Sequence, residues 1–354
     1  MRYLVFGTGA VGGLVGGRLA LADHPVTFLA RPRVADVLER EGLRISGAGP
    51  SGWLERPTVI RELAQAFAQP DLPDAVLLTV KAYDCEAAAV SLAAATADPP
   101  PVVCLLNGIG NEATLASRLG GQRVIPAVLT TAVVTPEPGQ VRVERERGID
   151  LAVGHPLLPR LQADLAGAGM PPRLHQDGQR MKWSKLLTNI VSNATSAILG
   201  WTPRAVYSHP GVYRLELEAL REVVRVMAAL GYSPEGLTGV PVHLLTLAVG
   251  LPAWLSQPLL RHVVASGRGA KKPSFHYDIG RGRSEVRWLN GVVADEAARM
   301  GLPAPANRVL TDTMLGLVES RLSPAAFANQ PAALLALAER AGVPGIRGYN
   351  PAAI

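Results

Sequence analysis

Residues 3–22 constrain the fold more than any other stretch. An apolar run, Tyr3-Leu4-Val5-Phe6, passes directly into Gly7-Thr8-Gly9-Ala10-Val11-Gly12 and then into a segment of small residues reaching Ala22. This is the order of a strand, a tight turn and a helix that binds a dinucleotide. Gly7 lets the chain turn sharply off the strand, Gly9 lets the backbone approach a pyrophosphate, and Gly12 lets the helix lie close to the sheet. The unpaired N–H groups that open such a helix would face the negative charge. A glycine turn of purely structural use is the alternative.

The second strand, Pro25 to Ala30, bears on the choice of cofactor. A chain selecting NAD ends this strand with an acidic residue, about twenty positions beyond the glycines, that holds the ribose hydroxyls. Here it ends in Arg31-Pro32-Arg33. A guanidinium offers a planar, permanently charged fork to a 2′-phosphate, whereas a carboxylate repels it. NADP(H) is therefore expected over NAD(H).

At 354 residues the chain exceeds the size at which one core keeps growing, so two domains are expected. Residues 74–80, 101–106 and 123–129 read as further parallel strands, and Cys85 to Ala97 as a helix between two of them. Later, helical patterns dominate: Met181 to Ile198, Tyr213 to Leu230, Ser284 to Met300 and Ala306 to Glu319. The expected fold class is α/β, a Rossmann-type N-terminal domain with a parallel sheet over residues 1–177. A mostly α-helical C-terminal domain follows over 178–354, after a turn-rich boundary.

Composition narrows the function classes. Cys85 and Cys104 are the only cysteines and lack metal-ligand spacing, so no disulfide framework and no metal site are expected. Reduced thiols fit a cytoplasmic protein. The formal charge of +6 would help attract an anionic cofactor and substrate. The basic residues are scattered without interleaved aromatics, so nucleic acid is not an expected partner. Leu244 to Leu260 is apolar but broken by Gly250, Pro252, Gln257 and Pro258, so a membrane span is not expected. It reads as buried helices or a subunit contact, the latter implying a homodimer through the helical domain.

In an open α/β sheet, ligands sit beyond the carboxyl ends of the strands. Lys81 follows the strand ending at Val80, and Asn107-Gly108 follows the strand ending at Leu106. The lysine can pair with phosphate or remain a solvated loop charge. The Asn-Gly pair can present an amide to ribose, nicotinamide or substrate, or serve only the turn. Lys185, Asn189 and Asn193 recur at a spacing of four, which stacks them on one helical face. Asparagine is a poor helix former, and two below a lysine in an apolar helix point to a ligand-lining stripe. Ser184, Thr188 and Ser192 form a second polar row that could be the solvent-facing one instead.

Several blocks occur in one order over most of residues 1–320: GTGAVGG, TVKAYD around Lys81, NGIGNE around Asn107, LTTAVVTPEPGQV, KWSKLLTNIVSNATSAI, and KPSFHYDIGRGRSEVRWLNG followed by GLPAPANRVL. In these the chain resembles the ketopantoate reductase (2-dehydropantoate 2-reductase) family, in which NADPH reduces a branched 2-oxo acid on the route to pantothenate and coenzyme A. The resemblance implies a Rossmann domain joined to a helical domain, with the active site in the cleft between them. It implies Lys185 as the catalytic general acid, Glu285 as the catalytic carboxylate, and Asn107, Asn189, Asn193 and Ser274 as substrate-binding residues. Cofactor binding then falls to Gly7, Thr8, Gly9, Ala10, Val11, Gly12, Arg31, Lys81 and Asn107.

The pattern departs from the family in places. The spacing from Ser274 to Glu285 is one residue shorter than in the best-known members, residues 237–272 are apolar and longer than in compact ones, and the tail beyond Leu322 has no counterpart. A third asparagine of compact members falls near Thr202-Pro203-Arg204. Substrate contacts are expected to differ while the chemistry persists. Without the resemblance, Glu285 reads as an acid at a helix N-terminus. Two alternatives stand beside the leading expectation: a reductase of the same fold for another branched or aromatic 2-oxo acid, and a non-catalytic NADP(H)-binding sensor. Lys185, Asn189, Asn193 and Glu285 together weigh against the sensor, which has no need of a proton donor.

Overall fold

Short apolar strands buried on both faces, such as Ala75–Leu78 and Val102–Cys104, need helices on either side, as a parallel sheet provides. The structure is a computed structural model that describes residues 1–68, 70–268 and 274–347, and side chains throughout these except at 262–268 and 274. The strands in chain order are β1 (Tyr3–Phe6), β2 (Val26–Leu29), β3 (Leu43–Gly47), β4 (Gly52–Leu54), β5 (Thr58–Ile60) and β6 (Ala75–Leu78). They continue as β7 (Val102–Cys104), β8 (Val124–Leu129), β9 (Ala132–Val134), β10 (Gln140–Arg145), β11 (Ile149–Ala152) and β12 (Pro172–His175). The helices among them are α1 (Ala10–Leu21), α2 (Pro32–Glu41), α3 (Cys85–Ala95), α4 (Asn111–Leu119) and α5 (Leu158–Gly167).

Among the described residues, β12-β11-β8-β7-β6-β1-β2-β5 form an eight-stranded sheet. Strands β5, β2, β1, β6, β7 and β8 are parallel, and β11 pairs antiparallel with β8 and parallel with β12. The register sets Phe6 beside both Leu29 and Leu78, so β2, β1 and β6 end level. The chain winds from β1 to β2 on one side and β6 fills the other. That reversal of strand order is where such sheets bind ligands. The strands expected near 3–6, 25–30, 74–80, 101–106 and 123–129 are β1, β2, β6, β7 and β8, each at or just inside the expected limits.

A second sheet, β4-β3-β10-β9, was not foreseen from the sequence. It lies against the face of α1 opposite the main sheet, and glycines on both faces make α1 thin enough to fit. A Cβ at Gly16 would stand 2.4 Å from Val5 Cγ2 and 2.9 Å from Phe28 Cε1, in the main sheet. One at Gly13 would stand 2.7 Å from Val141 Cγ2, and one at Gly17 2.8 Å from Ile45 Cδ1, both in the small sheet. Arg18 in the same helix is buried and donates to Glu146 just beyond β10, at 3.0 and 2.7 Å.

The chain divides into one unit of Met1–Lys182 with Leu237–Val240 and a second of Trp183–Gly236 with Pro241–Ile354. This division falls inside α6 (Gly178–Asn189). Leu237–Val240 returns to the first unit, where Thr238 donates its backbone N–H (3.2 Å) and hydroxyl (3.0 Å) to the buried Asp150. The second unit holds α7 (Asn193–Leu199), α8 (Pro203–Ser208), α9 (Pro210–Ala229), α10 (Val242–Gly250), α11 (Ala253–Arg268), α12 (Asn290–Arg299), α13 (Pro305–Val318) and α14 (Pro331–Arg340). Helix α9 is its axis: Pro210 starts it, His209 Nδ1 accepts from Val212 N (3.2 Å), and α8 and α10 to α14 pack on it. No helix among the described residues is long and apolar enough to cross a membrane. In α10 and α11, however, Leu244, Leu247, Trp254, Leu255 and Leu259 are exposed, Leu247 at 67% and Trp254 at 74%, so this apolar stretch is not simply a pair of buried helices.

Candidate active site

The turn from β1 into α1 has the conformation its glycines suggest. Gly7 has φ +111°, and a Cβ there would stand 2.9 Å from Val80 N. Gly12 closes on the same turn, where a Cβ would meet Gly7 O at 2.2 Å and Thr79 Oγ1 at 2.5 Å. Thr79 donates its hydroxyl to Gly7 O (2.6 Å), and Thr8 donates its own to Leu29 O at the end of β2 (3.1 Å). Gly9 is the cap residue of α1, and nothing lies within 4 Å of where its Cβ would be. The helix begins with Gly13 N donating to Gly9 O at 2.7 Å. The N–H groups of Ala10, Val11 and Gly12 therefore have no acceptor within the helix. Open space above a bare glycine, next to outward-facing N–H groups, fits a pyrophosphate.

The other residues expected to face the cofactor lie beyond neighbouring strand ends of this unit. Arg31 follows β2, is exposed, and places its guanidinium 3.2 Å from Asp84. Asp84 lies in the short turn that follows Lys81, to whose carbonyl its N–H donates at 2.8 Å. Lys81 is exposed beyond β6, and Asn107 is exposed beyond β7. The loop after β7 turns through Gly108 (φ +87°) and Gly110 (φ +98°). Asn111 donates its side-chain amide to Asn107 O at 3.0 Å.

In the second unit the helix expected over 181–198 is broken. α6 ends at Asn189, α7 starts at Asn193, and Ser192 between them has φ +48°. A buried carboxylate accounts for the break. Glu216 on α9 accepts from Ser192 N at 2.8 Å and from the Thr195 hydroxyl, so the Ser192 N–H bonds to a side chain instead of a carbonyl of the preceding turn. The stack of three side chains at a spacing of four therefore does not form. Lys185 and Asn189 remain one turn apart and half-buried on α6, while Asn193 is buried at the start of α7. The alternative polar row is not solvent-facing either. Ser184 and Ser192 are buried, and Ser184 Oγ accepts from Glu235 N at 3.0 Å.

Moving Asn193 off the stack gives it another contact. Its Oδ1 accepts from Phe275 N (3.4 Å) in the 3₁₀ turn Ser274–Asp278. The Ser274 side chain lies outside the described residues. Asp278 Oδ2 accepts from the Ser284 hydroxyl (2.8 Å), whose oxygen in turn accepts from Val286 N (3.2 Å). Glu285 is thus the buried first residue of a capped 3₁₀ turn, Glu285–Trp288, and not the start of a helix reaching Met300; α12 begins only at Asn290. Asn193, the Ser274 turn and the Glu285 turn form one linked group in this unit. Sequence reading missed Glu216, because a glutamate within an amphipathic helix carries no mark of burial.

Comparison with known proteins gives the family of the chain. Residues 3–155 match the family model described as ketopantoate reductase PanE/ApbA, and residues 177–317 match its C-terminal counterpart, ketopantoate reductase PanE/ApbA C terminal. A 2-dehydropantoate 2-reductase of Halobacterium salinarum is 29% identical over 324 residues, covering 88% of this chain and 97% of that protein. One of Archaeoglobus fulgidus is 28% identical over 335 residues, covering 91% and 99%. The crystal structure of a PanE/ApbA family ketopantoate reductase from Ralstonia eutropha JMP134 superposes with a TM-score of 0.76 at 28% identity, covering 91% of this chain and 99% of that one. With both family models matched in order, over most of the chain and across both units, the chain belongs to the ketopantoate reductase family, whose members are oxidoreductases acting on CH–OH groups.

Proposed function

We propose that this protein reduces ketopantoate to pantoate with NADPH, in the cytoplasm, as a step toward pantothenate and coenzyme A. The observation that carries this reading is family membership over both units, joined to the open glycine turn with a cation and no carboxylate after β2. Ala10, Val11 and Gly12 supply N–H groups to the pyrophosphate. Arg31 and Lys81 take the 2′-phosphate, with Asp84 holding the guanidinium in place meanwhile.

When bound, the dihydronicotinamide supplies a hydride to the carbonyl carbon of the 2-oxo acid. The protein's part is to hold that carbonyl and to provide a proton. The Lys185 ammonium polarises the carbonyl oxygen and then gives it a proton, so that the oxygen becomes a hydroxyl. Glu285 balances the lysine's charge and orients that hydroxyl. Asn189, Asn193 and Asn107 bind the substrate's polar groups, and Ser274 its carboxylate. Both buried groups in this scheme are positioned from behind, Asn193 by the Glu216 break and Glu285 by the Ser284 cap.

We also infer that the exposed apolar residues of α10 and α11 form the contact of a homodimer, because a face carrying Leu247 and Trp254 in water is costly unless a partner covers it. Replacing both Leu247 and Trp254 with Glu is expected to convert a dimer to a monomer in sedimentation equilibrium. A wild-type protein that is itself monomeric would refute this.

Two substitutions test the chemistry. Lys185→Ala is expected to lower kcat by roughly 10²- to 10⁴-fold with the fold intact by circular dichroism. Unchanged turnover would remove the lysine from its role. Arg31→Ala is expected to weaken NADPH by about tenfold or more while leaving NADH nearly unaffected, since a charge-assisted hydrogen bond is lost only with the former. An unchanged ratio of the two affinities would assign the 2′-phosphate elsewhere.

A further inference from the structure

One buried charge plays no part in the chemistry above. Lys182 on α6 is 2% exposed, and its ammonium meets three oxygens: Cys104 O at 3.0 Å, Leu106 O at 2.9 Å and Glu112 Oε1 at 2.7 Å. It donates to the two carbonyls and forms an ion pair with the carboxylate. Burial opposes the charge, but the Glu112 carboxylate outweighs it and holds the lysine protonated above its ordinary range. The same environment pushes the Cys85 thiol up to about 12.

The positions of the three oxygens matter. Cys104 is the last residue of β7, Leu106 directly precedes Asn107, and Glu112 is the second residue of α4. The segment Asn107-Gly108-Ile109-Gly110 lies between the last two, so one ammonium holds the loop by both its ends. The loop has two glycines at positive φ and little intrinsic stiffness. Ties within it include the Asn111 amide on Asn107 O (3.0 Å) and the Thr114 hydroxyl on Gly110 O (3.1 Å). The first of these already joins the beginning of the loop to the start of α4, and Lys182 adds a second clamp that also holds Cys104 at the end of β7. The first helical unit of α6 is itself seated on the sheet, since a Cβ at Gly178 would stand 2.8 Å from Pro126 Cγ and 3.0 Å from Ala152 Cβ. Lys182 therefore reaches the loop from a fixed base.

We propose that Lys182 and Glu112 are positioning residues that fix the Asn107 loop for the reaction, acting through Asn107 without touching substrate or cofactor. The inference rests on the role of Asn107 proposed above. Removing one charge alone would leave the other buried without its counter-charge, so the pair is best replaced together by residues of similar volume, Lys182→Met with Glu112→Leu. Four proteins are compared for kcat/KM with ketopantoate and for the Kd of NADP⁺: wild type, Asn107→Ala, the paired variant, and the triple variant. The paired variant is expected to fold, to bind NADP⁺ within about threefold of wild type, and to lose kcat/KM on the order of tenfold or more, because misplacing a positioning group is costly even when contacts remain. The triple variant is expected to be no worse than Asn107→Ala alone, because the pair has nothing left to position. Losses that multiply in the triple variant, a paired variant with wild-type kcat/KM, or one that does not fold would each overturn the proposal. If Asn107→Ala is itself fully active, the role of Asn107 fails and this inference fails with it. If that variant is impaired but the losses multiply, only the inference fails.

Discussion

The first unit depends on how closely α1 can approach β1. A helix normally keeps a side-chain layer between itself and a sheet, but here the separation is set by bare backbone: Gly12 and Gly16 toward β1 and β2, and Gly13 and Gly17 toward the small sheet. Two sheets share one thin helix as a consequence. The same closeness brings the start of α1 against Gly7 and Thr79, which fixes the turn and leaves the Gly9 position open. Packing and binding at this turn are therefore one geometric requirement. Glycine costs helix stability, roughly 1 kcal/mol per residue relative to alanine, and burial of Val5, Phe28, Leu43 and Ile45 against the helix has to offset it.

In the second unit the organising groups are buried carboxylates. Glu216 interrupts the run from α6 to α7 and so sets where Asn193 stands. Glu222, also on α9, accepts from Ala306 N and Asn307 N at 2.8 Å each and so fixes the start of α13. Helix α9 thus acts as more than an apolar axis. Its acidic residues define the starts of two helices packed around it, and one of these, α7, carries the proposed site residue Asn193.

Much of this was legible in the sequence, and the parts that were not share a cause. β1, β2, β6, β7 and β8 announce themselves as apolar runs bounded by turn residues, and the glycine turn by its place between strand and helix. The small sheet was missed because its strands lack the continuous buried apolar runs of the main sheet: β3 and β10 alternate, with Leu43 and Ile45, and Val141 and Val143, buried between exposed polar residues, and β4 and β9 are three residues each. The break at Ser192 could not be read from residues 181–198 alone. A spacing of four describes an unbroken helix, and the group that breaks it sits 24 residues further along. Lys182 and Glu112 are a similar case, each ordinary as a surface charge until the fold brings them together. Local signals specified the elements and the residue types of the site; long-range polar contacts decided how those residues are held.

The central claim is that these residues serve NADPH-dependent reduction of ketopantoate. Its most direct test is steady-state oxidation of NADPH by the purified protein with ketopantoate, beside pyruvate, 2-oxoisovalerate and phenylglyoxylate, with each repeated using NADH. The highest kcat/KM is predicted for ketopantoate with NADPH. Preferred turnover of another 2-oxo acid, equal efficiency with NADH, or no turnover of any of the four would contradict it.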